Sequence, residues 1–196
     1  MNLETEALLE KLRRELTSRP RKALNFPDFR RAAVLVPLLQ TPTGLELLFT
    51  VRDSGLSNHA GQIAFPGGRL EAGESVAQAA RRETAEEIGL DVPESSLLGT
   101  LHDLPSPARY TVTPVVGVVR WPQPLTLQAA EVAEVFTVPL AELLSLTPRQ
   151  ETRLLEGQRR TIYFYAHQSA AGERLIWGLT GNVVADFLDA VRALEI

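Results

Sequence analysis

The stretch that decides the fold runs from Gly68 to Leu90 and reads GRLEAGESVAQAARRETAEEIGL. Its alanine-rich composition after Ser75 favours a helix, because alanine has the highest helix propensity. Gly89 is typical of a helix end, since glycine readily adopts the left-handed conformation found there. Between these two residues, one row at a spacing of four forms an apolar helical face: Val76, Ala80, Thr84 and Ile88. The stretch therefore predicts a loop followed by a helix that ends at Gly89.

Three glutamates share a second face of this predicted helix. At roughly 100° per residue, Glu83 and Glu87 stand one above the other and Glu86 lies slightly to one side. A lone E-x-x-E-E is usually a solvated helix face, but like charges at this spacing repel one another and favour a compensating cation. Carboxylate oxygens suit a hard divalent ion such as Mg²⁺ or Mn²⁺, and the chain has no cysteine that could hold a metal through sulfur.

The full register of the stretch resembles the Nudix box, G-x5-E-x7-R-E-U-x-E-E-x-G-U, in which U is a bulky aliphatic residue. The residues in the required places are Gly68, Glu74, Arg82, Glu83, Glu86, Glu87, Gly89 and Leu90. Thr84 stands where an aliphatic residue is expected, but its methyl group can still pack. The resemblance implies an α+β Nudix fold, in which a mixed β-sheet is sandwiched between α-helices.

The resemblance also implies a role for each acidic residue of the box. Glu83, Glu86 and Glu87 would bind the divalent metal, Mg²⁺ or Mn²⁺, together with the backbone at Gly67. These three glutamates are also the predicted catalytic residues, since the family's reaction is hydrolysis of a pyrophosphate bond by water that the metal activates.

Two further residues of the box are predicted to support catalysis. By the same resemblance, Arg82 holds a glutamate in position through a charge-assisted hydrogen bond, and Glu74 steadies the loop. A glutamate takes the proton from the attacking water. Glu83 is one candidate for this base, and Glu131 or Glu134 from a later acidic stretch are the alternatives.

The residues before the box resemble the element that precedes it in coenzyme A diphosphatases, of approximate form L-L-T-x-R-S-x-x-x-R-x-x-x-G-x-x-x-F-P-G-G. The matching residues are Thr50, Arg52, Gly61, Phe65, Pro66, Gly67 and Gly68. Asp53 replaces the serine and Ser57 replaces the second arginine. Residues 111–117 and 176–181 also look like segments of that subfamily. The implied reaction converts coenzyme A and water to 4′-phosphopantetheine and adenosine 3′,5′-bisphosphate.

Five residues around this element are predicted to bind the substrate. Arg52, His59 and Gln62 offer a guanidinium, an imidazole and an amide, which can bind phosphate or adenine. Gly67 and Gly68 would let the backbone approach the phosphates, because no Cβ stands in the way. The competing interpretation is that Arg52 pairs with a surface acid and that the other two side chains are solvated.

The rest of the chain predicts a single domain over residues 1–196, with a peripheral N-terminal helix within 1–20 and a Nudix core over 31–190. Apolar periodicity and turn residues predict a helix over 3–16, a hairpin of strands 31–39 and 45–51, strands over 97–104, 112–120 and 134–139, a short helix over 141–146, a second hairpin of 161–167 and 174–178, and a final helix over 182–194. Two aromatic residues are expected in the core: Phe65 and Trp177. The alternatives are that Phe65 stacks on a base and that Trp177 contacts the ligand.

Composition limits the classes of partner. The net charge of −4 and a pI near 5.5 argue against nucleic acid, whose binding usually needs a basic face. No apolar stretch is long enough to cross a bilayer, and the charged N-terminus lacks an apolar secretion segment. We therefore expect a cytoplasmic protein, monomeric or homodimeric, with a small-molecule substrate.

Two alternatives to a coenzyme A diphosphatase stay open. The first is a Nudix pyrophosphatase for another nucleoside diphosphate derivative, such as ADP-ribose. The second is a Nudix module that binds a nucleotide without catalysis. Such modules typically lose one or more carboxylates of the box, whereas this chain keeps all of them.

Overall fold

The computed structural model describes residues 3–53, 61–155, 158–169 and 172–194. Its helices are α1 (Leu3–Ser18), α2 (Val76–Ile88), α3 (Leu140–Ser145) and α4 (Gly178–Arg192). Its strands are β1 (Arg30–Thr41), β2 (Gly44–Arg52), β3 (Ile63–Ala64), β4 (Gly67–Arg69), β5 (Leu97–Thr100), β6 (Leu104–Pro105), β7 (Tyr110–Arg120), β8 (Val132–Pro139), β9 (Arg149–Leu155), β10 (Gln158–Ser169) and β11 (Gly172–Trp177). None of the helices described is long and apolar enough to span a membrane.

Strand β1 is the centre of the main sheet. It runs parallel to β7 and antiparallel to β2, so the sheet is mixed. The order across the sheet is β3-β2-β1-β7-β5, and β4, β6 and β8 pair with β1, β7 and β2 respectively. A second sheet has the order β11-β10-β9.

Both faces of β1 are buried, because its side chains alternate between two cores. Ala33, Leu35 and Leu39 belong to the cluster that contains Ala80 and Ile88 of α2. The other face packs in the cluster with α1 and α4, through residues that include Val36, Leu38, Leu12, Leu16, Val184 and Phe187. The predicted α+β fold, a mixed sheet between helices, is confirmed.

The predicted elements are largely confirmed, and the differences have local causes. Residues 97–104 form β5 and β6 instead of one strand, because residues 101–103 interrupt the pairing with β7 and the Asp103 N–H donates to the carbonyl of Lys22. Helix α4 begins at Gly178, before the predicted start at residue 182, in a stretch whose glycines hide the periodicity. Strand β9 was not predicted, since its charged sequence RQETRLL lacks a clear apolar alternation.

Both ends of α2 carry capping residues. Ser75 accepts a hydrogen bond from the backbone N–H of Gln78, and the Gln78 side chain accepts one from the backbone N–H of Ser75. This capping box satisfies two N–H groups that a helix start leaves unpaired. Gly89 ends the helix in the left-handed conformation, with φ 70°, as its position in the sequence predicted.

We expect Ser75→Ala to lower the free energy of unfolding by about 1 kcal/mol, because the Gln78 N–H then loses its acceptor. Chemical denaturation followed by circular dichroism measures the effect. Ser145→Ala is the matched control, since Ser145 bonds a carbonyl at the end of α3 and caps no helix start. Equal losses in the two variants would contradict this role for Ser75.

Candidate active site

The site forms where the short strand β4 lies between β1 and α2. Strand β4 pairs with β1 through Gly67 opposite Val34 and Gly68 opposite Ala33. A Cβ on Gly67 would lie 2.3 Å from the carbonyl oxygen of Ala33, so the approach of the two strands requires glycine at this position. The sequence predicted a loop here, and the glycine-rich segment instead joins the sheet.

Two glutamates of α2 lie against the backbone of β4. A Cβ on Gly68 would lie 2.5 Å from both carboxylate oxygens of Glu83, so this carboxylate occupies the space that a side chain would need. The backbone N–H of Gly67 donates a hydrogen bond of 3.1 Å to Oε2 of Glu87. The structure therefore brings together four of the predicted site residues: Glu83, Glu87, Gly67 and Gly68.

Glu87 is a buried acid with a perturbed pKa. Its exposed fraction is 6%, and burial is the main reason that its pKa rises to about 7. The hydrogen bond from Gly67 opposes this rise, the negative charges of Glu131 and Glu83 add to it, and the positive charge of Arg52 lowers the pKa. A buried carboxyl without a strong cationic partner is unfavourable when ionised.

Arg82 forms ion pairs both with the loop before α2 and with the acidic face of the helix. Its Nε and Nη2 donate to the two carboxylate oxygens of Glu74 at 2.9 and 3.0 Å. Its Nη1 lies 3.0 Å from Glu83 and 3.2 Å from Glu86. The bond from Arg82 lowers the pKa of Glu74, and the surrounding carboxylates raise the pKa of Arg82.

The three box glutamates have different environments. Glu87 is buried, Glu83 contacts both Gly68 and Arg82, and the side chain of Glu86 is 61% exposed. Across residues 3–53, 61–155, 158–169 and 172–194, no three acidic or histidine side chains are gathered into a metal-binding cluster. Arg82 is the cation that faces two of these glutamates here.

The donor set nevertheless fits a hard divalent cation. The carboxylates of Glu83, Glu86 and Glu87 offer oxygen ligands of the kind that Mg²⁺ and Mn²⁺ prefer. Glu87 is held in a buried position by Gly67, and this burial raises its pKa.

A cavity of about 370 Å³ opens beside the β4 glycines. Four of the predicted substrate-binding residues line it: Arg52, Gln62, Gly67 and Gly68. The fifth, His59, lies outside the described residues. The remaining wall is largely apolar and includes Val34, Val112 and Leu179.

The sequence did not predict one wall of this cavity. Residues 106–108, in the turn before β7, and Tyr110, the first residue of β7, line it. Nothing in this part of the sequence pointed to a ligand. Trp177 also lines it and is 37% exposed, so its predicted core position is wrong. Its ring stacks on Phe164 with centroids 5.7 Å apart. Phe65 is in the core, as predicted.

The two alternative bases lie in different surroundings. The charge of Glu131 acts on Glu87 and raises its pKa, which places Glu131 on the acidic side of the site. Glu134 instead forms an ion pair of 2.6 Å with Arg174 of β11. Of these two, Glu131 is therefore the one whose charge acts on a glutamate of α2.

Comparison with known proteins identifies the family. Residues 29–163 match the NUDIX domain, and the chain belongs to the Nudix family. It is thus a hydrolase of the class that acts on diphosphate bonds.

Two relatives cover most of the chain. The uncharacterized Nudix hydrolase NudL of Photorhabdus laumondii is 40% identical over 167 residues, which are 83% of this chain and 86% of that protein. The human mitochondrial coenzyme A diphosphatase NUDT8 is 40% identical over 162 residues, which are 80% of this chain and 66% of that protein.

Two solved structures share the fold at low sequence identity. A MutT/nudix family protein from Enterococcus faecalis has a TM-score of 0.55 at 17% identity, over 95% of this chain and 73% of that chain. A MutT protein from Methanosarcina mazei Go1 has a TM-score of 0.51 at 17% identity, over 91% of this chain and 96% of that chain. These likenesses concern the fold alone.

We expect Glu87→Gln to stabilise the metal-free protein at pH 8 and to change its stability little at pH 4. The Glu87 pKa rises from 4.5 to about 7 on folding. Protonated Glu87 therefore contributes its full stabilisation of the folded state below the unfolded pKa of 4.5, and this contribution is lost as the pH rises through the folded pKa of about 7. At about 1.4 kcal/mol per pKa unit, the gain at pH 8 is on the order of 3 kcal/mol.

Thermal melts in EDTA at the two pH values measure this gain. Glu86→Gln is the control, because the Glu86 side chain is mostly exposed and its charge costs little. A Glu87→Gln variant whose melting temperature differs equally from wild type at both pH values would contradict the buried-charge explanation.

Proposed function

We propose that this Nudix hydrolase cuts the diphosphate bond of coenzyme A and its derivatives, with Mg²⁺ or Mn²⁺, to give 4′-phosphopantetheine and adenosine 3′,5′-bisphosphate. The observation that carries this proposal is the position of Arg52, a matching residue of the coenzyme A diphosphatase element, together with Gln62 in the cavity beside Glu83 and Glu87. The similarity to the human coenzyme A diphosphatase supports the same substrate.

In this proposal, Glu83, Glu86 and Glu87 hold the cation and the backbone at Gly67 completes the site. A divalent ion held there would neutralise negative charge on the diphosphate and lower the pKa of the water that attacks phosphorus. Arg82 positions Glu83 and Glu86 through its fork of N–H groups, and Glu74 fixes Arg82 from the opposite side.

The proton of the attacking water needs an acceptor close to the carboxylate cluster. Glu83 and Glu131 are the candidates, because Glu83 lies against Gly68 and the charge of Glu131 acts on Glu87, whereas Glu134 pairs with Arg174 of β11. Arg52 brings a positive charge to the same cavity and is the proposed partner of a substrate phosphate. The apolar wall excludes water from the bound ligand, which strengthens each of these charge interactions.

The single-domain organisation over residues 1–196 and the cytoplasmic location also remain part of this proposal. The described core already includes Leu12 and Leu16 of α1 together with Phe187 of α4, so the N-terminal helix packs with the C-terminal one. A monomer or a homodimer is compatible with the single-chain site.

A substrate panel tests the proposed specificity. We expect coenzyme A to be hydrolysed with a higher kcat/KM than ADP-ribose or dGTP, each assayed with Mg²⁺ and with Mn²⁺. The products are separated by chromatography and identified by mass. Faster turnover of ADP-ribose would assign the chain to another Nudix specificity, and no turnover of any substrate would favour a nucleotide-binding module without catalysis.

We expect Glu83→Gln to lower kcat by roughly 100-fold or more, since a ligand and candidate base would both be lost. Circular dichroism and the melting temperature should show an intact fold, because glutamine keeps the shape of the side chain against Gly68. Glu94→Gln, in the turn before β5, is the charge-matched control and should keep full activity. Undiminished activity of Glu83→Gln would remove Glu83 from the site.

A further inference from the structure

A second cavity, here called the arginine pocket, adjoins the cavity beside β4. Its volume is about 310 Å³, and it shares Pro107, Trp177, Gly178 and Leu179 with that cavity. It is thus a continuation of the substrate cavity on the side away from β4. Neither the Nudix box nor the element before it contributes any residue to its lining.

The charge of the arginine pocket is positive. Arg153, Arg159 and Arg160 line it, and no acidic side chain is among its lining residues in the described chain. The chain as a whole carries a net charge of −4, so this concentration of arginine runs against the overall balance. Arginine is suited to phosphate because its planar fork of N–H groups matches the oxygens.

Two of these arginines face each other across the second sheet. Arg153 of β9 is the register partner of Arg160 of β10, and like charges directly opposite one another destabilise a strand pair. Glu151 balances part of the charge of Arg153 at 2.7 Å. Arg160 donates only to the amide oxygen of Gln158, and its buried Nε has no hydrogen-bond partner among the described residues.

The start of α4 adds to the positive potential of the pocket. Gly178 and Leu179 form the first residues of this helix and line the cavity, and the N-cap residue Trp177 makes no capping bond with its side chain. A helix N-terminus attracts anions, because its N–H groups are free and the helix dipole is positive there. The arginines and the helix start therefore favour the same kind of ligand.

We propose that the arginine pocket binds the 3′-phosphate of the adenosine half of the substrate, a proposal that rests on coenzyme A as the proposed substrate. The adenosine would lie in the cavity beside β4, whose wall is largely apolar. One ribose separates its 5′-diphosphate from its 3′-phosphate. Arg159 and Arg160 would then distinguish substrates with this phosphomonoester from those without it, such as ADP-ribose.

Binding of reaction products tests the pocket without turnover. Isothermal titration in Mg²⁺ buffer compares adenosine 3′,5′-bisphosphate with adenosine 5′-monophosphate, which lacks the 3′-phosphate. We expect the wild type to bind the bisphosphate about 10- to 100-fold more tightly. Arg159→Ala/Arg160→Ala should lose most of this difference, and Arg14→Ala/Arg120→Ala, with the same change in net charge at distant sites, should retain it.

Equal affinities of the wild type for the two ligands would overturn the proposal, as would an undiminished difference in Arg159→Ala/Arg160→Ala. If the double variant fails to fold, the single variant Arg159→Ala decides, because Arg159 is exposed on β10.

Hydrolysis of coenzyme A and of 3′-dephospho-coenzyme A by the same variants separates the two proposals. A wild type that hydrolyses both with the same kcat/KM would contradict the pocket and leave the diphosphatase function standing. A wild type that hydrolyses neither but prefers the bisphosphate in the titration would contradict only the diphosphatase function.

Discussion

The close approach of the β4 backbone to both β1 and α2 positions everything else in the site. A Cβ on Gly67 would collide with Ala33 of β1, and one on Gly68 would collide with the Glu83 carboxylate. Because neither glycine has a Cβ atom, β4 can pair with β1 on one side and contact the carboxylates of Glu83 and Glu87 on the other. The backbone N–H of Gly67 then holds Glu87 in a buried position. Sheet, strand and helix are thereby held at distances that position Glu83 and Glu87, whereas the Glu86 side chain is mostly exposed.

The acidic residues of this arrangement are unevenly paired with positive charge. Arg82 compensates Glu74, Glu83 and Glu86 through a single guanidinium. Within the described residues, Glu87 accepts a hydrogen bond from the Gly67 N–H and is near the charge of Arg52, and burial raises its pKa to about 7. A fold under selection for stability alone would avoid a buried acid of this kind, whereas functional sites commonly retain such local costs. On the acidic face of α2, Glu83 and Glu86 thus pair with Arg82, whereas the buried Glu87 accepts a hydrogen bond from a backbone N–H.

Residues distant in sequence build the surroundings of this centre. The turn before β7 and the junction of β11 and α4 supply the wall that faces the β4 glycines. Beyond that wall, β9 and β10 bring arginines together at the start of α4. The space next to the glutamates therefore changes from a largely apolar cavity that includes Arg52 to a basic one that adjoins it. Such a sequence of environments suits an elongated ligand with separated phosphates, because each part of it meets a different surface.

The sequence alone determined the family, the helix α2 with both of its ends, and the residues that meet at β4. These features depend on local periodicity, capping residues and fixed spacings, which are readable along the chain. Only the tertiary structure decided that Gly67 and Gly68 form a strand, that Trp177 lines a cavity, and that arginines of β9 and β10 adjoin the substrate site. Those outcomes depend on contacts between segments more than 30 residues apart, such as Val34 with Gly67 and Thr180 with Ile63. Pairing and packing over such separations select among local conformations that the sequence leaves nearly equal in free energy.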